Sequence, residues 1–458
     1  NTHSFMSVEL SFSQATRDEL AQYVKEMLGD KPLALDWEQV KNLFQHLCVR
    51  MGISHKWTDA YGDYLTDEAF ALYHRNKVKG ENLKKHMIVL QEQEINELLD
   101  DLMHKPLLDA RHPKRCVVLG GGAYGTAITS VLARKGHRVE IVMMDSEKTT
   151  VDAINTTHRN PSCFADIALH PFLVSACTES DMARAASQAD FIILAVPVQF
   201  IGSYLLKHQK ALSCGIPVVC VSKGIDAKNS KFMSEVIAEV LPGVPLAFLA
   251  GPSFAKEMMQ GALTSVTVAA ADLKLARTVQ ILFSSSIFRV FITDDVLGVE
   301  VGSALKNVLA IACGVLQGLG YGPNTQMAMV TRGWADIRTL SRDYGGREQT
   351  MTGLAGIGDV MLTCFGGASR NAKFGTCLAK HNDVEKALKE VDMTVEGYFT
   401  SFSIKKIARS RNLRVPVLEA ITDMLSGALP PDMFATHIMT LPLSLEEVTT
   451  VKPAHAKL

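Results

Sequence analysis

No charge of either sign dominates this sequence: 47 Lys and Arg stand against 48 Asp and Glu, for a formal net charge of −1. Composition therefore forces no basic face, and nucleic acid is not expected as a partner. Long apolar runs are also missing. A membrane-spanning helix needs roughly 18 such residues. The longest tempting stretch, Val308 to Leu316, is far shorter and directly follows Lys306 and Asn307, so no membrane partner is expected. Nine cysteines are few for 458 residues, and they form neither a C-x-x-C pair nor a ligand spacing with histidine. They read as the scattered reduced thiols of an intracellular protein, with no metal site. The opening residues NTHSFMSVELSF lack the charged-then-apolar pattern of a secretory leader. The expected location is cytoplasmic; the alternative is a peroxisome-like organelle, because the closing Ala456-Lys457-Leu458 resembles an S-K-L-type address.

What is present is material for a large core, with 47% hydrophobic against 21% charged residues, and length for two or three domains. The first 112 residues read as a small helical bundle. Thr16 to Glu19 forms a capping box ahead of Leu20, Tyr23, Val24, Met27 and Leu28, and Asp36 to Gln39 repeats the device. Further helices are expected near Asp67 to Arg75 and Met87 to Met103, the last with Ile88 on its apolar stripe. No catalytic or metal pattern appears there.

From Lys114 the pattern changes to alternating strand and helix, which marks a parallel sheet. Cys116 to Leu119 is a short buried strand. It breaks into Gly120-Gly121-Gly122-Ala123-Tyr124-Gly125, which fits G-x-G-x-x-G, and a helical pattern follows with Ile128, Val131 and Leu132. In that context the glycines supply a tight turn, close approach of backbone to a pyrophosphate, and close helix-on-strand contact. The helix start favours the phosphate charge. Taken alone, the same residues would also suit a plain glycine turn.

A second strand, Arg138 to Met144, ends at Asp145. An acid there can accept hydrogen bonds from the adenosine ribose and repel a 2′-phosphate, favouring NAD over NADP; it can equally cap the helix that follows. Further strands at Asp190 to Val196, Pro217 to Val221 and Leu246 to Ala250 each end in a loop of unusual chemistry. These are Pro197-Val-Gln-Phe200, Ser222-Lys223-Gly224 and Gly251-Pro252-Ser253-Phe254. Ligands of open α/β sheets sit beyond such carboxyl ends.

Past Asp294 the chain turns helical. Val299 to Leu319 reads as one long buried helix broken by Lys306 and Asn307, and Gln326 to Tyr344 as another. Between later helices lies a glycine-rich loop, Thr352 to Asp359. The tail after His437 is Pro/Thr/Lys-rich, and poor order is expected of it. A lysine in an apolar helix is costly to bury unless it is paired or used. Burial also lowers its pKa toward neutrality, which suits a general acid/base; the alternative is an amine that snorkels to the surface.

The motifs GGGAYGTA, ADFIILAVPVQF, VSKGID, AGPSFAKE, EVGSALKNVLAIACG, TRG, GLAGIGDVMLTC and SRN occur in one order over roughly residues 114 to 430. Together they resemble NAD-dependent glycerol-3-phosphate dehydrogenase. The resemblance implies reversible hydride transfer between sn-glycerol 3-phosphate and dihydroxyacetone phosphate, a phosphorylated triose or polyol substrate, and a homodimer. It implies a Rossmann-type α/β domain over 113–297 and an all-α domain of the 6-phosphogluconate-dehydrogenase-like kind over 298–437; the helical extension over 1–112 and the tail over 438–458 lie outside it. Carried over by position, Lys306 resembles the general acid/base and Lys223 the second active-site lysine, a contact to substrate and cofactor. Asp359, Asn307 and Thr363 resemble their polar partners. Gly251, Ser253, Ser369, Arg370 and Asn371 match substrate contacts. Gly120, Gly122, Ala123, Tyr124, Gly125, Asp145, Phe200, Ala255 and Glu396 match cofactor contacts, with Lys223 and Arg370 reaching the cofactor as well. Ala123 departs from relatives that carry a hydroxyl or amide there. A dehydrogenase of 3-hydroxy acids or 6-phosphogluconate would lack the SRN and GPSF pair. A non-catalytic nucleotide sensor would have lost Lys306, Lys223 or Asp359.

Overall fold

The structure, a computed structural model, describes residues 113–441 apart from 214 and 392–393, together with residues 34–35 and 88–89. In the first unit, Ala34–Leu35 pairs antiparallel with Ile88–Val89. Ile88 is therefore strand where the apolar stripe predicted helix. The remaining expected helices of 1–112 lie outside the described residues, as do residues 442–458 with the closing Ala456-Lys457-Leu458.

The second unit is built on one eight-stranded sheet. Its strands are β1 (Arg115–Leu119), β2 (Arg138–Met143), β3 (Val174–Thr178), β4 (Phe191–Leu194), β5 (Val218–Cys220), β6 (Leu246–Ala250), β7 (Thr264–Ala269) and β8 (Phe288–Thr293). They lie in the order β8-β7-β6-β5-β4-β1-β2-β3. The run from β3 to β6 is parallel. β7 then turns antiparallel on β6, and β8 runs parallel to β7. The 3-2-1-4-5-6 half is the doubly wound arrangement, with its crevice where the order reverses between β1 and β4. β1, β4 and β5 are buried along almost their whole length, as their continuous apolar runs require. α1 (Ala123–Arg134) follows β1 and α2 (Val198–Lys207) follows β4.

β3, β7 and β8 were not foreseen from the sequence. The segment TSVTVA of β7 alternates buried and half-buried positions, so it lacks the unbroken apolar run that marked the central strands.

The helical part is organised around α3 (Val296–Gly318), which starts three residues earlier than expected. Asp295 caps it, its carboxylate accepting from Gly298 N at 2.9 Å. Every residue from Gly298 to Leu316 is buried. α3 has the length and apolarity of a membrane span, yet 89% of its most apolar window is buried inside the protein. Around it pack α4 (Pro323–Asp343), α5 (Asp359–Phe365), α6 (Arg370–His381) and α7 (Glu396–Ser410). The crossing with α6 is close because glycines face it. A Cβ on Gly314 would stand 1.9 Å from Ala372 O, and one on Gly375 2.0 Å from Ile311 O. The expected loop at 352–359 is partly wound: Leu354–Gly358 forms a wide helical turn in which Gly356 and Gly358 both donate to Gly353 O at 3.2 Å. That turn runs straight into Asp359, the first residue of α5.

Candidate active site

At the switch point, Gly120 has a φ of 107°, and a Cβ there would meet Ala195 O at 2.8 Å. A Cβ on Gly125 would stand 2.0 Å from Gly120 O, so α1 presses directly onto the turn. Around Gly122, by contrast, nothing lies within 4 Å of a Cβ position. α1 begins at Ala123 without a capping side chain. Its first-turn N–H groups therefore face an open cradle, which fits a pyrophosphate. Phe200 is 58% exposed in the first turn of α2, beyond β4. Glu396 reaches that turn from α7, accepting from Val198 N at 3.3 Å. Gln199 ties the same turn to the next strand-end loop, donating to Ile225 O and accepting from Ala227 N, each at 3.0 Å. Nothing in the local sequence VPVQF marks Gln199 for this tie.

Asp145 lies exposed past β2. Its Oδ1 accepts from Ser180 Oγ at 2.7 Å and Ser180 N at 3.1 Å. Hydrogen bonds from Ser180 and Thr178 hold its carboxyl below the usual range. It does not cap the helix that follows, since Lys148–Thr157 starts without any side-chain cap; Glu147 accepts from Met144 N at 3.0 Å in the short turn between them. Asp145 joins none of the lysine-site residues.

Those residues converge on one carboxylate. Asp359 is almost fully buried at the start of α5. Its Oδ2 accepts from Lys223 Nζ at 3.0 Å, and its Oδ1 accepts from Lys306 Nζ. Thr363, one turn on, donates to the Asp359 carbonyl at 2.6 Å and stands 3.5 Å from Oδ1. Lys306 is 7% exposed, so it does not snorkel. Burial pulls its ammonium down to about 8, with Asp359 resisting and Lys223 adding to the fall. For Lys223 burial also opposes the charge, but Asp359 and Tyr124 outweigh it and hold the ammonium above its ordinary value.

The GPSF loop closes on the same point. Lys223 Nζ donates to Gly251 O at 3.0 Å, and Ser253 Oγ donates to that oxygen at 3.0 Å. Tyr124, expected only as a cofactor contact, also reaches this loop: its hydroxyl lies 2.9 Å from Ser253 Oγ. Its ring centroid is 5.6 Å from the Lys223 ammonium. Ala255 opens the short helix Ala255–Met259 just beyond. In SRN, Ser369 caps α6, accepting from Ala372 N at 3.3 Å. Arg370 is exposed at the first position of that helix. Asn371 turns inward, donating to Asn307 Oδ1 at 3.1 Å and accepting from Gly397 N at 3.0 Å. Among the described residues no cluster of His, Cys, Asp or Glu could hold a metal ion.

Such a site holds a dinucleotide cradle, two ammonium groups on one buried carboxylate, and an exposed guanidinium at a helix start. It can deliver a proton beside a hydride donor and bind an anion. Two family models match the chain: the NAD-dependent glycerol-3-phosphate dehydrogenase N-terminus over residues 115–276 and its C-terminus over residues 295–436. The NAD(P)-linked glycerol-3-phosphate dehydrogenase of Brucella ovis is 37% identical over 333 residues, 73% of this chain and 99% of that protein. The chloroplastic NAD-linked glycerol-3-phosphate dehydrogenase 2 of Arabidopsis thaliana is 36% identical over 337 residues, 73% of this chain and 79% of that protein. The crystal structure of the Coxiella burnetii glycerol-3-phosphate dehydrogenase is similar with a TM-score of 0.68 at 29% identity, covering 72% of this chain and 99% of that one. With both models matching in chain order across the regions that build the lysine site, the chain belongs to the NAD-dependent glycerol-3-phosphate dehydrogenase family of oxidoreductases.

Proposed function

We propose that the chain interconverts dihydroxyacetone phosphate and sn-glycerol 3-phosphate with NAD as cofactor, and that Lys306 is its general acid and base. The observation that carries this reading is the buried pair Lys223 and Lys306 sharing Asp359. Bound NADH supplies the hydride. The chain must then give the ketone oxygen a proton and a nearby positive charge as it becomes an alkoxide. Lys306, drawn down to about 8, loses and regains a proton readily near neutral pH. Lys223 stays charged beside it, polarising the carbonyl oxygen without giving up its proton. Asp359 fixes both ammonium groups, and Thr363 braces Asp359. Asn307 holds the Asn371 side chain next to the lysine helix.

The substrate phosphate is assigned to the start of α6, where Arg370 presents a guanidinium in fork geometry beside free helix N–H groups. Gly251 and Ser253 line the substrate side. The G-x-G-x-x-G cradle, Ala123, Tyr124, Phe200, Ala255 and Glu396 hold the cofactor, with Asp145 at its adenosine end. The start of α3 at Val296 supports a division into a dinucleotide domain over 113–297 and a helical substrate domain over 298–437. The family resemblance supports a cytoplasmic homodimer as the working form. The test is a steady-state assay of the full chain with dihydroxyacetone phosphate and NADH or NADPH. Oxidation of NADH that depends on dihydroxyacetone phosphate is expected, and reduction of the ketose phosphate by neither cofactor would overturn the reading.

A further inference from the structure

A small cavity lies between α3 and the ends of β5 and β6, with Cys220, Ser222, Gly224, Phe248, Glu300 and Ser303 among its walls. Its room for a water-sized sphere is about 10 Å³; one water molecule needs about 10–15 Å³ on that measure, and two to four polar partners. Glu300 is the one carboxyl in the lining and is 6% exposed. Its Oε1 accepts from Ser234 N at 2.9 Å, while its buried Oε2 has no partner among the described residues. A buried acceptor left in that state is costly. Ser222 Oγ donates to Val196 O at 2.6 Å and Ser303 Oγ donates to Glu300 O at 3.2 Å. Both hydroxyls have thus committed their hydrogens to carbonyls and offer lone pairs to a further donor.

We propose that this cavity holds one buried water molecule shared by Glu300 Oε2 and the hydroxyls of Ser222 and Ser303, and that Glu300 through it positions the Ser222–Gly224 loop and so Lys223. Ser222 and Gly224 flank Lys223 directly. The water ties that loop to α3, the helix that also carries Lys306, so the two ammonium groups keep their spacing around Asp359. Burial pushes the Glu300 carboxyl up to about 7, against Ser234 and the Met233 N–H, which pull it down; in its protonated form it donates to the water. Glu300 is assigned no contact with substrate or cofactor and acts only through the loop.

The kinetic part rests on Lys223 holding the substrate; the water does not. Glu300→Gln keeps an acceptor for Ser234 N and a donor for the water, whereas Glu300→Met keeps the length and offers neither. Glu300→Gln is expected to hold the KM for dihydroxyacetone phosphate within about twofold, while Glu300→Met raises it by about tenfold with the KM for NADH unmoved. A crystal structure of the enzyme at about 1.8 Å is expected to show water density within hydrogen-bonding reach of all three oxygens. An empty cavity would overturn the proposal, as would a Met variant with unchanged constants or one raising both KM values alike. Should Glu300→Met fail to fold, Ser303→Ala removes one partner of the water and must raise the substrate KM alone. If Lys223→Ala leaves that KM unchanged while the density remains, the role given to Lys223 has failed and the water has not.

Discussion

Asn371 Nδ2 donates to Asn307 Oδ1 at 3.1 Å, joining the start of α6 to the residue beside Lys306. The same amide accepts from Gly397 N, and the neighbouring Glu396 accepts from Val198 N. A chain of three bonds thus runs from the lysine helix, past the proposed phosphate site, to the turn that presents Phe200. Asn371→Ala breaks this chain at its centre and strands two buried partners, at a cost of about 1–3 kcal/mol. Denaturant unfolding should show that loss, and steady-state kinetics a raised KM for dihydroxyacetone phosphate. An unchanged KM would reduce Asn371 to a structural tie.

Lys306→Met removes the proposed proton donor while keeping an unbranched apolar chain in the helix. Loss of one such donor costs about 10² to 10³ in rate. The expected outcome is a kcat lowered by at least that factor, with NADH affinity by fluorescence titration little changed. Turnover within a few-fold of the unsubstituted enzyme would remove Lys306 from the mechanism.

The pH dependence should change sign with direction. With Lys306 as the proposed proton donor, ketone reduction needs its ammonium, so kcat/KM should be level below about 8 and fall above it. Alcohol oxidation needs the free amine, so its kcat/KM should climb with pH and level off above the same value. Parallel profiles in the two directions would point to some other titrating group.

The central strands and the long helix were legible because their signals are local. CVVL, FIILAV and LAFLA are unbroken apolar runs, and the Gly120–Gly125 turn has the spacing its backbone needs. β3, β7 and β8 were not, because their residues alternate and their pairing is decided by distant neighbours. The lysine site was legible as types of residue in order; its geometry was not. That Lys223 and Lys306 meet on opposite oxygens of Asp359 depends on a wide turn at Leu354–Gly358, which glycine content alone suggested as a loop. Tyr124 and Gln199 illustrate the same limit, since their bonds to Ser253 and the 225–227 segment span contacts invisible in local sequence. Asp145 shows the reverse case, where local sequence allowed a helix cap and the structure starts Lys148–Thr157 with no side-chain cap, Asp145 bonding Ser180 instead.

The α3–α6 crossing carries both Lys306 and Arg370, so its closeness should be testable apart from chemistry. Gly314→Ala places a methyl 1.9 Å from Ala372 O, where backbone rather than a flexible side chain must yield. Overpacking of this kind costs about 1–3 kcal/mol or more. A lowered thermal midpoint is expected, together with a rise in the substrate KM as α6 is pushed outward. A midpoint at or above that of the parent chain would mean the helices can separate freely.

The proposed basis of cofactor choice is Asp145. Hydrogen bonds from Ser180 and Thr178 hold its carboxyl below the usual carboxylate range, and those bonds fix it just beyond β2, where the adenosine ribose of a doubly wound fold lies. A fixed negative charge there accepts from ribose hydroxyls and repels a 2′-phosphate. Asp145→Gly removes both effects, so kcat/KM for NADH should fall, that for NADPH should rise, and their ratio should narrow several-fold. Because Asp145 is exposed, the repulsive part is screened by salt. In the parent enzyme the ratio should therefore narrow between about 0.05 and 0.5 M salt, and in Asp145→Gly it should stay level. A ratio that moves with neither the substitution nor salt would leave Asp145 only the task of holding the Ser180 turn.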